Sequence, residues 1–444
     1  MSGGVTSEGD VNGSPLRAAW RAGLDDATRD LLDADADTFL HQSLSTPCLD
    51  VIARAEGSWL IDLQGRRILD FHGNSVHQLG HGHPRVVAAV KAALDTLPFC
   101  PRRYTNTYAV DLARALAAVA PDPLGKVLFA PGGAAAVSMA LKLARVATGR
   151  HKTLSMWDSF HGATLDAISV GGEALFRREA GPLLPGTEHL PPLHLASRFF
   201  GPDRPFERFA DYIDYALDVQ GDVAALIAEP MRWTTVELPP PGFWAQVRDS
   251  CHRHGTLLIF DEIPSGFARS GTMFVCEQVG ATPDILVLGK GLGGGVMPLA
   301  AIVADPALDI AAEGALGHFT HEKSPTGCAA GLALLNVIRE EGLLARARDL
   351  GRRGLDRLRD LTHRHDGVAA VRGVGAYFGL ELTGRDRADA EARADRLLYA
   401  SLEQGLSLKI GGGTVATLCP PLTITDAEFD QALDIVAAAL VAVD

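Results

Sequence analysis

The chain has 444 residues, of which 47% are hydrophobic and 21% charged, and its formal net charge is −13. This length and balance exclude a disordered or fibrous protein and favour a large core domain with a smaller second one. Because lysine and arginine are nowhere concentrated among aromatic residues, nucleic acid and anionic membranes are not expected as partners.

The cysteines and the N-terminus indicate the compartment. The six cysteines are scattered, without the density of a disulfide framework or a CxxC metal spacing, so we interpret them as buried thiols. The first residues, MSGGVTSEGDVNGSP, lack the basic start and apolar run of a signal peptide. No window reaches the about 18 apolar residues of a membrane helix. We therefore expect a cytoplasmic protein.

The N-terminal part of the chain predicts a tail followed by an arm. Residues 1–14 are rich in glycine and serine without periodicity, which predicts a disordered tail. Residues 15–84 are predicted to form an N-terminal arm and part of a small domain. Within them, WLIDLQGRRILDF alternates around Gln64 and Gly65, as a β-hairpin does.

Residues 85–330 predict the large domain. Helical stretches such as VVAAVKAAL and AVSMALKLARVA alternate with short apolar runs such as KVLFA, AALIAEP, LLIFDE and ILVLGK. This alternation is typical of an α/β fold whose mostly parallel sheet is flanked by helices. Residues 331–444 predict a smaller α+β domain. It contains one long amphipathic helix over 329–361, strands within 371–382 and a final helix from Asp426.

Two charged side chains follow buried strands of the predicted sheet. Asp261 ends the run LLIFD, and Lys290 follows ILVLG and precedes further glycines. Ligands of open parallel sheets bind beyond the carboxyl ends of the strands. Taken alone, Asp261 is equally a capping acid, and Lys290 is more simply a solvated loop lysine. Together they fit a pyridoxal cofactor, which needs a lysine to form an imine and a carboxylate to keep its ring nitrogen protonated.

Two further segments suit the same cofactor. Gly133 and Ala134 open a helix whose free N–H groups can bind a phosphate, although a Gly-Gly pair is more often a simple tight turn. Phe160 and His161 follow another strand, where an aromatic face can stack on a planar ring or can belong to the core. Each of these segments is a weak signal by itself.

A metal site is the alternative for the same region. His161, Asp261 and Glu262, together with His318 and His321, are potential ligands. Their spacing matches no zinc motif, and isolated histidines are more often satisfied by local hydrogen bonds. We therefore predict no metal.

The order and context of these motifs match a known family. The chain resembles the class III, fold-type I aminotransferases in GGAAA (132–136), FHGAT (160–164), DEIPSGFARSG (261–271), GKGLGGG (289–295) and HFTHEKSP (318–325). The resemblance extends from about Arg54 to the C-terminus. It implies the fold-type I transferase architecture, pyridoxal 5′-phosphate as the cofactor, and a homodimer with shared active sites.

The resemblance also implies residue roles. Lys290 matches the lysine that holds the cofactor and then moves the substrate proton, and Asp261 matches the partner of the ring nitrogen. Thr320 matches a threonine that reaches the phosphate from the neighbouring subunit. The implied cofactor-binding residues are Gly133, Ala134, Phe160, His161, Asp261, Ile263, Lys290 and Thr320.

The chain departs from most relatives around the substrate. Relatives that use 2-oxoglutarate pair a glutamate with an arginine that clamps the substrate carboxylate, and the corresponding residues here are Thr234 and Thr417. Losing both charges avoids leaving one of them unpaired. The double change argues against a glutamate and 2-oxoglutarate enzyme.

Arginines elsewhere are candidates for binding an anionic substrate group. Guanidinium groups suit carboxylates and phosphonates, although these side chains are equally explained as surface arginines in loops. The candidate substrate-binding residues are Arg102, Arg103, Arg232 and Thr417.

The segments HGNSVHQ, PFCPRRYTN, LFAPGG and EKSP are similar to those of one subgroup of the family. That subgroup acts as ammonia-lyases on (R)-1-hydroxy-2-aminoethylphosphonate, which implies release of ammonia and phosphonoacetaldehyde without a keto-acid acceptor. An ω-amine:keto-acid transaminase is the alternative, because both reactions begin with the same proton abstraction. A non-catalytic binding protein is a remote alternative, since Lys290 and Asp261 stand in intact motifs.

Overall fold

The computed structural model describes residues 14–43 and 45–443. The predicted tail, residues 1–14, lies outside the described residues except for Ser14, whose hydroxyl accepts from the N–H of Arg17 and caps the first helix. The described helices are α1 (Pro15–Gly23), α2 (Asp26–Thr38), α3 (Pro84–Thr96), α4 (Thr107–Val119), α5 (Gly133–Thr148), α6 (Leu165–Val170), α7 (Ala174–Arg177), α8 (Ala196–Phe200), α9 (Pro205–Gln220), α10 (Phe243–Arg253), α11 (Cys276–Val279), α12 (Pro325–Glu340), α13 (Leu343–Thr362), α14 (Arg387–Glu403) and α15 (Asp426–Val443).

The strands form three sheets. They are β1 (Ile52–Glu56), β2 (Trp59–Asp62), β3 (Arg67–Asp70), β4 (Lys126–Ala130), β5 (Lys152–Met156), β6 (Thr187–Leu190), β7 (Val223–Ala228), β8 (Leu257–Asp261), β9 (Ile285–Leu288), β10 (Ala300–Ala304), β11 (Val368–Gly373), β12 (Phe378–Leu382), β13 (Leu406–Ser407), β14 (Lys409–Gly411) and β15 (Val415–Leu418).

The largest sheet has seven strands in the order β4-β10-β9-β8-β7-β5-β6. β10 runs antiparallel to both of its neighbours, and the pairs from β9 to β6 are parallel. Every residue of β7 and β9 is buried, because helices cover both faces of the sheet. The predicted α/β architecture with a mostly parallel sheet is confirmed.

Two four-stranded sheets lie outside the large one, in the orders β1-β2-β3-β13 and β11-β12-β15-β14. The hairpin predicted around Gln64 and Gly65 is confirmed, since β2 and β3 are antiparallel and Gly65 has a φ of +82°. β13 pairs in parallel with β3, so the first small sheet combines the N-terminal arm with a strand from the C-terminal part of the chain.

The helix predicted over 329–361 is wrong in length. The chain forms two helices there, α12 and α13, which are separated at Glu341 and Gly342. Gly342 has a φ of +65°, a left-handed conformation that a continuous helix excludes and that glycine adopts without strain. α14 was not predicted, whereas the final helix beginning at Asp426 is confirmed.

The cysteines are free thiols. Five of them are buried and Cys48 is half-buried, which agrees with their interpretation as thiols rather than disulfides. Within residues 14–43 and 45–443, no helix combines the length and the hydropathy needed to span a bilayer.

Candidate active site

Most of the predicted site residues meet in one cavity at the carboxyl end of the parallel strands. Asp261 is the last residue of β8, and Lys290 follows β9 after Gly289. Both line a cavity of about 920 Å³. The predicted residues in its wall are Gly133, Ala134, Phe160, His161, Arg232, Asp261, Ile263, Lys290 and Thr417.

The first turn of α5 forms one end of the cavity. Gly133 and Ala134 lie in the wall, and the N-cap residue Gly132 has no side chain to accept from the helix amides. First-turn N–H groups lack intrahelical partners and carry a partial positive charge, so they can bind a phosphate. A Cβ atom at Gly133 would lie 2.9 Å from Cδ1 of Ile263, so a larger residue here would require the Ile263 side chain to shift.

Asp261 and His161 form a buried pair beside the cavity. Nδ1 of His161 lies 2.8 Å from Oδ2 of Asp261, and the backbone N–H of Ile263 donates to Oδ1 at 3.0 Å. The side chains of His161 and Asp261 are only 0% and 2% exposed, so an ionised carboxylate here depends on hydrogen-bond donors. A protonated ring nitrogen is a further donor of the required kind, and Asp261 faces the cavity that could hold one.

Lys290 has a strained backbone. Its φ of +43° lies in the left-handed region, which costs a residue with a Cβ atom about 1–3 kcal/mol. Its neighbours are glycines, and a Cβ atom at Gly291 would lie 2.2 Å from Oε1 of Gln78. Such strain persists where the surrounding structure fixes a residue for a function. We interpret it as the cost of keeping Lys290 in the cavity wall.

Phe160 and Ile263 give the cavity apolar surface. Phe160 is 38% exposed and packs against Phe176, with the ring centroids 4.4 Å apart. Ile263 packs against Gly133 and Gly289, where added Cβ atoms would meet its side chain. Apolar and aromatic surfaces of this kind suit a planar aromatic ligand.

Arg232 lies in the wall, but its charge is balanced by its neighbours. Its guanidinium forms an ion pair with Glu229 and donates to the carbonyl of Asp158. Burial opposes the charge, yet the carboxylates of Glu229 and Glu173 outweigh this effect and raise the pKa of Arg232. Because separating a buried ion pair leaves an uncompensated charge, Arg232 is better suited to fixing the wall than to binding a substrate anion.

Thr234 and Thr417, which replace the ion pair of 2-oxoglutarate-using relatives, both line the cavity. The hydroxyl of Thr417 donates to the carbonyl of Lys409 at 3.1 Å. Beside Thr234, the ring of Trp233 stacks on Tyr377 with centroids 3.7 Å apart, and the Tyr377 hydroxyl donates to the Trp233 carbonyl at 2.8 Å. Thr234 and Thr417 thus contribute neutral side chains where those relatives carry the ion pair.

Arg102, Arg103 and Thr320 lie outside the cavity wall. Their two loops pack against each other, since the ring centroids of Phe99 and His321 are 5.2 Å apart. The structure therefore brings these residues into one surface region, which does not line the cavity of their own chain.

Glu262 follows Asp261 but is not part of the cavity wall. It is fully buried and accepts hydrogen bonds from the backbone N–H groups of Val275 and Cys276 at 2.6 and 2.7 Å. Burial raises the pKa of its carboxyl to about 7. In the part of the chain that the structure describes, no group of three or more histidine, cysteine or acidic side chains is arranged to hold a metal ion.

The family follows from comparison with known proteins. The profile of the family "Aminotransferase class-III" matches residues 41–440. The chain belongs to the class III aminotransferases. As an enzyme of this family it uses pyridoxal 5′-phosphate, which a related amine transaminase carries in its solved structure.

Several class III relatives resemble the chain over most of its length. The (R)-1-hydroxy-2-aminoethylphosphonate ammonia-lyase of Vibrio splendidus is 44% identical, covering 97% of this chain and 94% of that protein. The acetylornithine aminotransferase of Methanopyrus kandleri is 36% identical, covering 87% and 92%. Among solved structures, the amine transaminase from an uncultivated Pseudomonas species is 32% identical with a TM-score of 0.84, covering 92% of this chain and 99% of that one.

The cavity of this class III enzyme fits its cofactor. The uncapped first turn of α5 suits the phosphate, and a side chain at Gly133 would meet Ile263 of the cavity wall. The buried Asp261 carboxylate suits a protonated ring nitrogen, and Lys290 supplies an amine in the same wall. We propose these residues as the cofactor-binding set.

Cavity residues from both ends of the chain were not predicted from the sequence. Arg17 lies on α1, His72 lies in the turn after β3, and Lys409 begins β14. A signal for Lys409 was available, because KIGGGTVATL has the glycine-rich turn of a hairpin between two short apolar runs. Nothing in the local pattern around Arg17 points to the cavity.

Proposed function

We propose that the chain is an ammonia-lyase that converts (R)-1-hydroxy-2-aminoethylphosphonate to phosphonoacetaldehyde and ammonia. The observation that carries the proposal is the 44% identity, over 97% of the chain, to the enzyme named for this activity. The neutral residues Thr234 and Thr417 support it, because a lyase binds no keto-acid acceptor and needs no clamp for one.

Each part of the cavity has a proposed role in this reaction. Pyridoxal phosphate, when bound, acts as an electron sink that makes the carbon next to the substrate amine acidic. Nζ of Lys290 removes the proton from that carbon. Asp261 keeps the proton on the ring nitrogen, and His161 holds the carboxylate in place through the 2.8 Å contact. The substrate hydroxyl leaves as water and one water is taken up, so the net change is the loss of ammonia.

An ω-amine:keto-acid transaminase is the second candidate. A solved (S)-enantioselective ω-transaminase from Thermomicrobium roseum is 29% identical with a TM-score of 0.85, covering 95% of this chain and 99% of that one. Lys290 and Asp261 would have the same tasks in this reaction, so the catalytic residues do not separate the two candidates.

Dependence on an acceptor does separate them. We expect the purified holoenzyme to release ammonia from (R)-1-hydroxy-2-aminoethylphosphonate without any keto acid, in equal amounts with phosphonoacetaldehyde. A coupled ammonia assay and a parallel aldehyde assay measure both products. Strict dependence on pyruvate or another keto acid would contradict the lyase and support the transaminase.

We also propose that the enzyme works as a homodimer with shared active sites. The loops that carry Arg103 and Thr320 are exposed and joined, since the side-chain amide of Asn106 donates to the carbonyl of Lys323 at 3.1 Å. Tyr104 on the first loop is 68% exposed. Arginine and tyrosine are enriched in protein interfaces, which supports a subunit interface at these loops.

Mixed dimers test the shared sites. One parent carries Lys290→Ala and the other carries both Arg103→Ala and Thr320→Ala, so each loses activity through a different wall of the same site. Co-expression is expected to restore about a quarter of wild-type ammonia release, because half of the random dimers are mixed and each has one intact site. Parents combined after purification, without subunit exchange, are the control. No recovery in mixed dimers of confirmed composition would contradict sharing.

A further inference from the structure

Arg269 is a buried arginine that pairs with no carboxylate in the described parts of the chain. It is 0% exposed, and the side chains that act on its pKa, those of Cys419 and Tyr377, are not acids of the carboxylate kind. Its Nη1 donates to the backbone carbonyls of Ala376, at 3.3 Å, and of Pro420. Its Nε and Nη2 have no hydrogen-bond partner among the described residues. Burial lowers the pKa of the guanidinium, but arginine keeps its proton in proteins, so a positive charge is buried here without a counter-ion.

Both acceptors of this guanidinium adjoin the cavity wall. Ala376 precedes Tyr377 and Pro420 follows Cys419, and both Tyr377 and Cys419 line the cavity. The segments are in close contact, because the N–H of Ala376 donates to the carbonyl of Arg269 at 3.0 Å. Arg269 is not among the residues that line the cavity in the described structure. Its charge therefore lies behind the wall at these two residues.

The neighbours of the guanidinium do not cancel its charge. Burial raises the pKa of the Cys419 thiol although Arg269 acts against this effect, so the thiol is neutral near pH 7. Burial lowers the pKa of His77 to about 4, and Arg269 acts in the same direction, so this imidazole is neutral too. Asp70 is the carboxylate that acts on both groups. It is engaged by donors of its own, since it accepts from Nε2 of His81 at 2.9 Å and from two backbone N–H groups.

The reacting carbon lies near the same part of the wall. Lys290 acts together with Arg269 on the pKa of the Cys419 thiol, so both cations lie close to this wall residue. Nζ of Lys290 is assigned to the carbon that bears the substrate amine, and the phosphonate of the proposed substrate is bonded to the next carbon. A bound phosphonate is therefore only a short distance from Lys290. Charges at such separations interact strongly where water is excluded.

We propose that Arg269 makes the site specific for anionic amines by supplying a positive charge from behind the wall at Tyr377 and Cys419. The proposal rests on the proposed function, which supplies the anionic substrate. The guanidinium does not touch the substrate, and its effect is electrostatic. Burying an unpaired cation is strongly unfavourable, and an incoming phosphonate reduces this penalty. An amine without an anionic group is not stabilised by the same charge.

Binding of methylphosphonate tests the charge without catalysis, because this anion has no amine. Its Kd for the holoenzyme is measured calorimetrically. We expect Arg269→Met to raise the Kd about 10-fold, and Arg269→Lys, which keeps a positive charge, to remain within about 3-fold of the wild type. Arg150→Met is the matched control and should bind as the wild type does. Arg150 also donates to backbone carbonyls, those of Val223, His254 and Gly255, but it precedes β5 at the end of the sheet opposite to the cavity.

A neutral amine separates a charge effect from a structural one. The affinity for 1-amino-2-propanol, an amino alcohol without the phosphonate, is measured from the change in absorbance of the bound cofactor. It should agree to within about 2-fold among the wild type, Arg269→Met and Arg269→Lys, whereas KM for the phosphonate substrate should rise in Arg269→Met more than kcat falls. Cofactor content and melting temperature establish that each variant is folded, and Arg269→Gln is a second neutral variant should Arg269→Met not fold.

The outcomes separate this proposal from the proposed function. Unchanged methylphosphonate binding in the neutral variants would overturn the role of Arg269, and so would equal losses for methylphosphonate and the amino alcohol, which indicate a structural role. A loss in Arg269→Lys as large as in Arg269→Met would overturn it as well. If the wild type releases no ammonia but its affinity for methylphosphonate depends on the charge of Arg269, the lyase proposal fails and the role of Arg269 stands. If ammonia is released and the affinity is independent of that charge, the lyase stands and the role of Arg269 fails.

Discussion

Lys290→Ala is expected to lower ammonia release by about 10³-fold or more. The substitution removes the Nζ atom that is assigned both to holding the cofactor and to moving the substrate proton. The visible absorption of the bound cofactor should change with it, because the covalent attachment is lost. Both effects can be measured on the same purified sample, by the ammonia assay and by a spectrum recorded after gel filtration.

Lys290→Gly is the matched control for folding. Lys290 has a φ of +43°, which strains alanine but not glycine, so the glycine variant should be more stable than the alanine variant by about 1 kcal/mol. Both should be equally inactive. An alanine variant that retains more than about a tenth of wild-type activity would rule out the assigned role of Lys290.

Asp261→Asn is expected to lower kcat about 10²- to 10³-fold. Asparagine has nearly the same shape as aspartate but carries no charge, so it cannot keep a proton on the ring nitrogen. The substitution also weakens the 2.8 Å contact with Nδ1 of His161. Steady-state kinetics give kcat, and equilibrium dialysis gives the affinity for the cofactor.

Glu262→Gln is the matched control for Asp261→Asn, because it changes the adjacent carboxylate. Glu262 accepts from the N–H groups of Val275 and Cys276, and an amide replaces one acceptor oxygen by a donor. This variant should have a lower melting temperature and nearly normal activity per bound cofactor. Equal losses of kcat in both variants would mean that burial, rather than the cofactor contact, explains the effect at Asp261.

The central sheet could be predicted because its strands are continuous apolar runs, as β7 and β9 show. Asp261 and Lys290 stood out for the same reason, since each follows such a run. The break at Gly342 could not be predicted in the same way. Apolar periodicity continues through both α12 and α13, and this pattern does not indicate that Gly342 adopts a left-handed φ.

The charge pairing of Arg232 and the strand register at Lys409 could be established only from the structure. Arg232 was a candidate for binding an anion, but its proximity to Glu229 depends on how the chain turns after β7. Lys409 enters the cavity wall through its pairing with Thr417, and β15 in turn is held by β12. β12 and β15 are distant along the chain, and periodicity within a short window carries no information about their pairing.

The parallel pairing of β3 with β13 places residues 406–407 in a sheet that begins at Ile52. During synthesis the N-terminal arm leaves the ribosome first. Its neighbouring strand β13 becomes available for pairing only after most of the polypeptide has emerged. Closing so long a loop is slow, since chain entropy is lost before the contact forms. The cavity wall includes Leu406 and Ser407, so it is completed only after most of the chain has been synthesised.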